Sequence, residues 1–314
     1  MSHPAHSRKI LVTGGAGFIG SHIVDALIAE GHQVAVLDDL STGLRENLHP
    51  EAELHELDIR SPEAARLIEA AGFEAVVHEA AQMDVRKSAE DPAFDAEINI
   101  LGTLNLLGAC VRGGVRQVLF ASTGGAIYGE QEVFPAPEGH PTRPVSPYGV
   151  SKLAVERYLY YFHLEHGLDA TCLRYGNVYG ERQNPKGEAG VVAIFLGRLN
   201  AGEACTVYGD GEQTRDYIHV SDVVAANLAA LGRPGFDTYN VGTGREVSVL
   251  EILEHLQGLT GVDLPAVHRP ARPGEQRRSS LDPDQLRGAL GVAAPLPLAE
   301  GLARTAEWFR AHRC

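Results

Sequence analysis

Two side chains in the stretch Ser146-Pro147-Tyr148-Gly149-Val150-Ser151-Lys152 have the types and spacing to remove a proton from an alcohol. Ser146 suits a helix cap and Pro147 the first helical position. Tyr148 then falls in the first turn, and Lys152, four residues on, shares its face. A tyrosine left to itself titrates near ~10, and bringing it to about 7 takes roughly 4 kcal/mol of preference for the phenolate. One cation at about 4 Å, across an effective dielectric near 20, is worth about that much. The chain has ten tyrosines and four lysines among 314 residues, so a random Tyr-x-x-x-Lys is expected only about 0.13 times. The spacing therefore favours function over coincidence. A neighbouring hydroxyl would orient the alcohol. Thr123, or as the alternative Ser122, closes an apolar run well placed to supply it.

Taking that proton is useful when a hydride leaves the same carbon, and the chain has a seat for a hydride acceptor. In Thr13-Gly14-Gly15-Ala16-Gly17-Phe18-Ile19-Gly20, the glycines Gly14, Gly17 and Gly20 are spaced three apart between a strand and a helix. Such a turn lets a diphosphate approach the backbone, and the N–H groups opening the helix at Phe18 and Ile19 face it. Asp38, 18 residues beyond Gly20, ends the next strand. A carboxylate there accepts both hydroxyls of an adenosine ribose and repels the extra phosphate of NADP, so the expected cofactor is NAD. Asp39, Ser41, Thr42 and Gly43 follow where a loop lines the same pocket, and Asp58 and Ile59 border the adenine. Ala80, Ala81 and Gln82 leave room for the cofactor backbone. Asn99 lies inside a helical stretch, where asparagine is a mediocre helix former, and so reads as a hydrogen-bonding residue of the cofactor site.

The elements that must position these groups alternate. Strands are expected at 10–13, 33–38, 53–57, 75–79, 117–122 and 171–175, with helices at 18–30, 95–111 and 148–166. Strands alternating with helices imply an α/β, Rossmann-type, doubly wound parallel sheet covered on both faces. Beyond Tyr175 the texture changes. Residues 180–190 and 265–282 read as loops, strands are expected near Thr206 and Tyr217, and helices at 191–200, 221–231, 250–259 and 298–312. The expected division is an NAD-binding part, 1–176, extended by a returning segment near 215–242. A smaller, discontinuous C-terminal α/β substrate lobe takes 177–314.

The bulk properties exclude several classes. The net charge of −14 argues against a nucleic-acid partner. No apolar run reaches the ~18 residues needed to span a membrane. Cys110, Cys172, Cys205 and Cys314 are scattered, without the paired spacing of a disulfide framework or zinc site. No metal site is expected, and the location read from this pattern is cytoplasmic.

Taken together, the motifs resemble the extended short-chain dehydrogenase/reductase family over nearly the whole chain. The resemblance also rests on Ser122-Thr123-Gly124-Gly125-Ala126-Ile127-Tyr128-Gly129, Leu173-Arg174-Tyr175-Gly176-Asn177-Val178-Tyr179-Gly180, Arg215-Asp216-Tyr217-Ile218-His219-Val220 and Arg272-Pro273-Gly274-Glu275. Within the family the chain is most similar to the bacterial enzymes that invert C4 of a UDP-hexose while keeping NAD bound. The resemblance implies Tyr148 as base, Lys152 as its activator and anchor of the nicotinamide ribose, and Ser122 or Thr123 as the helper hydroxyl. It implies Tyr175 against the cofactor, with Asn177, Tyr208, Arg215, Arg272 and Glu275 on the nucleoside diphosphate. Dedicated arginines also make sense where an acidic chain must hold a diphosphate. Tyr208 could stack on uracil. A homodimer through the 95–111 and 148–166 helices is implied as well. Where relatives that eliminate water place an Asp-Glu pair after this hydroxyl, and decarboxylating relatives a nearby glutamate, this chain has Gly124-Gly125.

Overall fold

The computed structural model describes residues 7–185, 190–271 and 276–312. Seven parallel strands form one sheet in the order β7-β6-β5-β4-β1-β2-β3. They are β1 Lys9–Thr13, β2 Gln33–Asp38, β3 Glu53–Glu56, β4 Ala75–His78, β5 Gln117–Thr123, β6 Asp169–Tyr175 and β7 Phe236–Val241. The near-continuous apolar runs of β1, β4 and β5 are buried on both faces, as a sheet covered on both sides requires. The fold class read from the sequence holds.

One face is covered by α1 (Phe18–Ala29) and α5 (Val220–Ala230), whose Ile23, Val24, Leu27, Val223 and Ala226 pack on Ile10, Val12 and Leu173. The other is covered by α2 (Pro62–Ala71), α3 (Pro92–Gly113) and α4 (Pro147–His166), through Ile68, Leu107, Val155 and Leu159. Helix α2 was missed in the sequence reading although its stop and start signals are present. Ser61 Oγ accepts from Ala64 N–H, Pro62 opens the first turn, and Gly72 ends the helix at φ +70°. Helix α4 is capped as expected, with Ser146 Oγ accepting from Gly149 N–H and Pro147 at the first position.

Helix α3 is long and apolar enough to cross a bilayer, but it lies between α2 and α4 on the sheet, and its apolar side belongs to the core. It contains a π turn at Glu97–Gly102. The wider turn redirects the side chains that follow it, and such turns recur at functional sites.

The remaining elements form a lobe over the carboxyl ends of the strands, with Phe195, Leu196, Val207, Ile252, Leu256, Leu302 and Phe309 as its core. Three small strand pairs shape it. Asn177–Tyr179 pairs with Tyr217–His219, Thr214–Arg215 with Val247–Ser248, and Thr206–Tyr208 with Val267–Arg269. The last pair corrects the expectation of a structureless 265–282. That three-residue strand is exposed and lacks an alternating pattern, so nothing in its composition announces it. The short helix Asp284–Leu290 was likewise not expected.

Candidate active site

The strand order reverses between β1 and β4, where such sheets leave a crevice for ligands. Every group singled out at the ends of β1, β2, β4, β5 and β6 borders this end of the sheet.

The glycine turn follows β1. Gly14 has φ +69°, and a Cβ on it would meet Ala80 N at 2.6 Å. The turn and the segment after β4 therefore touch backbone to backbone. A Cβ on Gly20 would strike Gly14 O at 2.3 Å, so α1 packs against the turn only with glycine there. Gly17 caps α1 with no side-chain hydrogen bond to the first turn, and a Cβ there would meet only Gly14 O at 3.1 Å. The helix thus presents uncapped N–H groups and a bare backbone, which fits a dinucleotide diphosphate.

Asp38 is buried at the end of β2. Its Oδ2 accepts from Ala16 N–H and its Oδ1 from Leu40 N–H, both at 2.9 Å. These bonds fix the carboxylate, whose lone pairs still exceed the two donors. Gly43 lies against it, since a Cβ there would sit 2.9 Å from Asp38 Oδ1. Asp39 accepts from Ser41 N–H and Oγ–H in an exposed turn that includes Thr42. Asp58 is bound by Arg60, which holds its carboxyl below the usual range, while Ile59 is buried against Gly102.

Asn99 makes specific hydrogen bonds, as expected, and the ones seen are to the protein itself. In the π turn, its Oδ1 accepts from Gln82 N–H, and its Nδ2 donates to Gln82 O and to Asp95 Oδ1. Its amide is a clamp on the Gln82 backbone.

At the candidate catalytic pair, Lys152 is buried and its Nζ donates to Ala121 O at 2.8 Å. The ammonium stands 4.7 Å from the Phe120 ring centroid and 5.8 Å from that of Tyr148. Burial draws Lys152 down to about 8, against the opposing pull of Glu79 and Asp95. The sequence reading shares the lowering of Tyr148 between Lys152 and the positive nicotinamide ring of an oxidised cofactor, and in the protein alone the phenol stands high. Burial pushes its phenol up rather than down, and the carboxylates Asp95 and Glu79 push the same way. The lysine lies over the ring, 5.8 Å from its centroid, with one of its three protons given to a carbonyl.

The two candidate helper hydroxyls separate clearly. Ser122 Oγ donates to Glu156 Oε1 at 2.6 Å, and that carboxylate is bound by Arg174 through Nε at 2.9 Å and NH2 at 2.6 Å. Arg174 also donates to Tyr128 OH, whose proton goes to Asn240 Oδ1. Ser122 thus belongs to a buried network. Thr123 is half-buried, and no hydrogen bond of its hydroxyl is found among the described residues. A Cβ on Gly125 would lie 3.9 Å from Thr123 Oγ1 and 3.7 Å from Asn177 Oδ1, so these side chains converge over a bare backbone. Gly124 has no such room, because Leu281 Cδ1 lies 2.4 Å from its Cβ position.

Tyr175 is buried and donates to Glu79 Oε1 at 2.8 Å. Tyr208 lines a 170 Å³ cleft with Gly209, Asp210, Gln213, Ala271, Gln276 and Arg277. Arg215 donates from NH1 to Thr214 O beside it in sequence. Arg272 and Glu275 lie outside the described residues, and Ala271 and Gln276, which flank them, both line the cleft. Sequence reasoning missed three acids, the half-buried Glu79 and the buried Asp95 and Glu156. Only the i, i+4 placement of Asp95 and Asn99 gave a signal for any of them. Among the described residues no cluster of metal-ligand side chains occurs.

The sequence profile of the NAD dependent epimerase/dehydratase family matches residues 10–242. A UDP-glucose 4-epimerase of Mycolicibacterium smegmatis is 45% identical over 96% of this chain and 98% of its own. The crystal structure of a Thermotoga maritima UDP-glucose 4-epimerase with UDP-glucose superposes with a TM-score of 0.95 at 47% identity, covering 98% of this chain and 100% of that one. A Thermus thermophilus UDP-glucose 4-epimerase in complex with NAD gives a TM-score of 0.90 at 46% identity, over 96% and 99% of the two chains. With its glycine turn, its Tyr148–Lys152 pair and a match over most of its length, the chain belongs to the NAD dependent epimerase/dehydratase family.

Proposed function

We propose that the protein is a UDP-glucose 4-epimerase, interconverting UDP-glucose and UDP-galactose with tightly held NAD. The observation that carries this reading is the strand-end cluster of Tyr148, Lys152 and Thr123 over Gly124 and Gly125. The cluster can move a proton at an alcohol, and the two positions after Thr123, where relatives that eliminate water place an Asp-Glu pair, are Gly124 and Gly125. When bound, NAD supplies the acceptor and donor of one hydride at the sugar's C4. Gly14, Gly17, Phe18, Ile19 and Gly20 would hold its diphosphate and Asp38 its adenosine ribose, with Lys152 at the other ribose and Tyr175 beside it. Tyr148 takes the proton of the 4-hydroxyl and returns it from the opposite orientation of the sugar. Thr123 orients that oxygen, since Ser122 is held by Glu156. Asn177, Tyr208, Arg215, Arg272 and Glu275 would bind the UDP, whose link lets the 4-keto sugar turn over. Purified protein incubated with UDP-galactose and no added NAD should yield UDP-glucose on chromatography. A 4-keto-6-deoxy product or carbon dioxide would replace this reading with that of another enzyme of the family.

N-acetylated UDP-hexosamines belong to the same proposal. Four residues after Glu275 stands Ser279, small and 2% exposed, where some related epimerases have tyrosine. UDP-N-acetylgalactosamine is expected to react with a kcat/KM within about tenfold of that for UDP-galactose. Ser279→Tyr should lower it at least ~10-fold while sparing UDP-galactose, as overfilling a packed site costs ~1–3 kcal/mol. Equal losses for both substrates would remove Ser279 from this role.

A homodimer completes the reading. Leu101 on α3 and Val150, Tyr158, Tyr161 and Leu164 on α4 are exposed, and a 450 Å³ hollow is lined by Ala154, Arg157, Tyr158 and Tyr161. Scattered apolar residues are ordinary, but a patch along adjoining helices marks an interface. Leu164→Glu should convert a dimer to a monomer in light scattering. An unchanged mass would place the interface elsewhere. The described cysteines are free and buried, in keeping with the reducing cytoplasm where we place the protein.

A further inference from the structure

The substrate lobe holds a buried acid with no part in the proton transfer. Asp216 is 1% exposed and joins the short strands Thr214–Arg215 and Tyr217–His219. Its Oδ1 accepts from Thr243 N–H at 2.8 Å and from Thr243 Oγ1–H at 2.6 Å. Its Oδ2 accepts from Gly244 N–H and from Leu281 N–H, both at 3.0 Å. Thr243 and Gly244 follow β7, so the carboxylate ties an edge of the large sheet to the distant Ser279–Leu281 segment. The Asp216 carbonyl in turn accepts from Asn177 N–H at 2.7 Å. Glycines make room for this residue. A Cβ on Gly176 would stand 2.9 Å from Asp216 O, and one on Gly242 2.7 Å from Asp216 Oδ2.

Leu281 carries this anchorage to the candidate site. Its side chain is buried with Ile127, Tyr128 and Ala136, and its Cδ1 lies 2.4 Å from the position of a Cβ on Gly124. On either side of it, Ala136 N–H donates to Ser280 O and Asp282 N–H donates to Ala136 O, both at 2.9 Å. Ser279 stands two residues before Leu281, and Asn177 Oδ1 approaches Gly125 beside Thr123. The backbones that bear Asn177, Arg215 and Ser279 therefore meet at one residue. We propose that Asp216 is a positioning residue for the sugar pocket, its carboxylate pinning the Ser279–Leu281 wall over the Gly124–Gly125 turn. That this pocket receives a sugar rests on the epimerase reading. The acid is needed for its chemistry rather than its volume. All four partners of its oxygens are donors, and only a carboxylate offers acceptors on both sides. A buried N–H without a partner is costly, so loss of the acid frees the segment rather than leaving it in place.

Amide hydrogen exchange, followed by mass spectrometry on the protein as purified, tests the anchorage without added ligand. Asp216→Ala removes all four bonds. A peptide covering 276–282 should then exchange at least about tenfold faster, while peptides from β1 and β5 keep the parent rate. A smaller increase, or an equal one in β1 and β5 as a general loss of stability would give, overturns the proposal. In turnover, KM for UDP-galactose should rise at least about fivefold and kcat fall by a smaller factor, since the wall supplies binding rather than proton transfer. A smaller rise in KM, or a loss carried mainly by kcat, overturns it too. Asp216→Asn keeps one acceptor oxygen, so its amide must turn an NH₂ towards either Thr243 or the N–H groups of Gly244 and Leu281. Should the Ala variant not fold, by near-ultraviolet circular dichroism, the Asn variant decides. A peptide covering 242–245 or the 276–282 peptide should exchange at least about threefold faster, and a smaller change in both overturns the proposal. Exchange as proposed in a protein that turns over no UDP-hexose would count against the epimerase reading alone.

Discussion

Tyr148→Phe is expected to lower kcat for UDP-galactose by about 10³-fold, the middle to upper range for removing a positioned acid–base group. The dinucleotide released on denaturation should stay at the parent amount. The ring remains, so the packing of Lys152 Nζ against it at 5.8 Å remains too, and only the proton-carrying oxygen is lost. This separates the variant from Gly14→Val. There a side chain would enter the Ala80 backbone from a positive-φ position, and dinucleotide and activity should vanish together. A Tyr148→Phe enzyme within tenfold of the parent would leave the proposed mechanism without its base. The raised phenol makes the point sharper. Two carboxylates act on Tyr148, so a proton-accepting oxygen requires positive charge beyond that of Lys152.

The second large effect concerns a pair that touches no proposed ligand. Arg174 and Glu156 are 5% and 3% exposed and joined by two hydrogen bonds. Arg174→Met would leave a buried carboxylate without its partner, which typically costs about 3–5 kcal/mol. The thermal midpoint should fall by several degrees. The double variant Arg174→Met, Glu156→Met should recover more than half of the loss, because apolar groups of similar volume replace a buried ion pair at little cost. A double variant no more stable than the single one would show that the loss lies in packing rather than in the orphaned charge. Thr123 should register the change as well, since it follows Ser122, which Glu156 holds.

What the sequence revealed and what it concealed divide along a physical line. Local signals were legible. Ser146 and Pro147 announce the start of α4, the strand–turn–helix at Gly14 follows from glycine spacing, and the parallel sheet follows from alternating elements. Ser61, Pro62 and Gly72 were equally plain for α2 and were passed over. The choice between Ser122 and Thr123 was not legible. It depends on Glu156, distant in sequence and brought close only by the packing of α4 on β5. Glu79 and Asp95 were hidden for the same reason. A carboxylate in a sequence does not tell whether folding will bury it, and their effect on Tyr148 exists only once three elements meet. Asn99 was rightly read as a hydrogen-bonding residue, but its partner, the 82 backbone, could not be read from helix propensity.

The place of β7 has a consequence for how such a protein can diversify. That strand and α5 come from the second half of the chain, yet β7 is an edge of the nucleotide-binding sheet and α5 packs on α1. The second half of the chain is therefore sewn through the sheet that the first half begins. Exchange of everything after residue 176 with a cousin's sequence would also transplant an outer strand and a covering helix. With Gly125 and Ser279 bordering the sugar as proposed, new sugar preferences are more readily gained by small replacements around them than by recombination of whole modules.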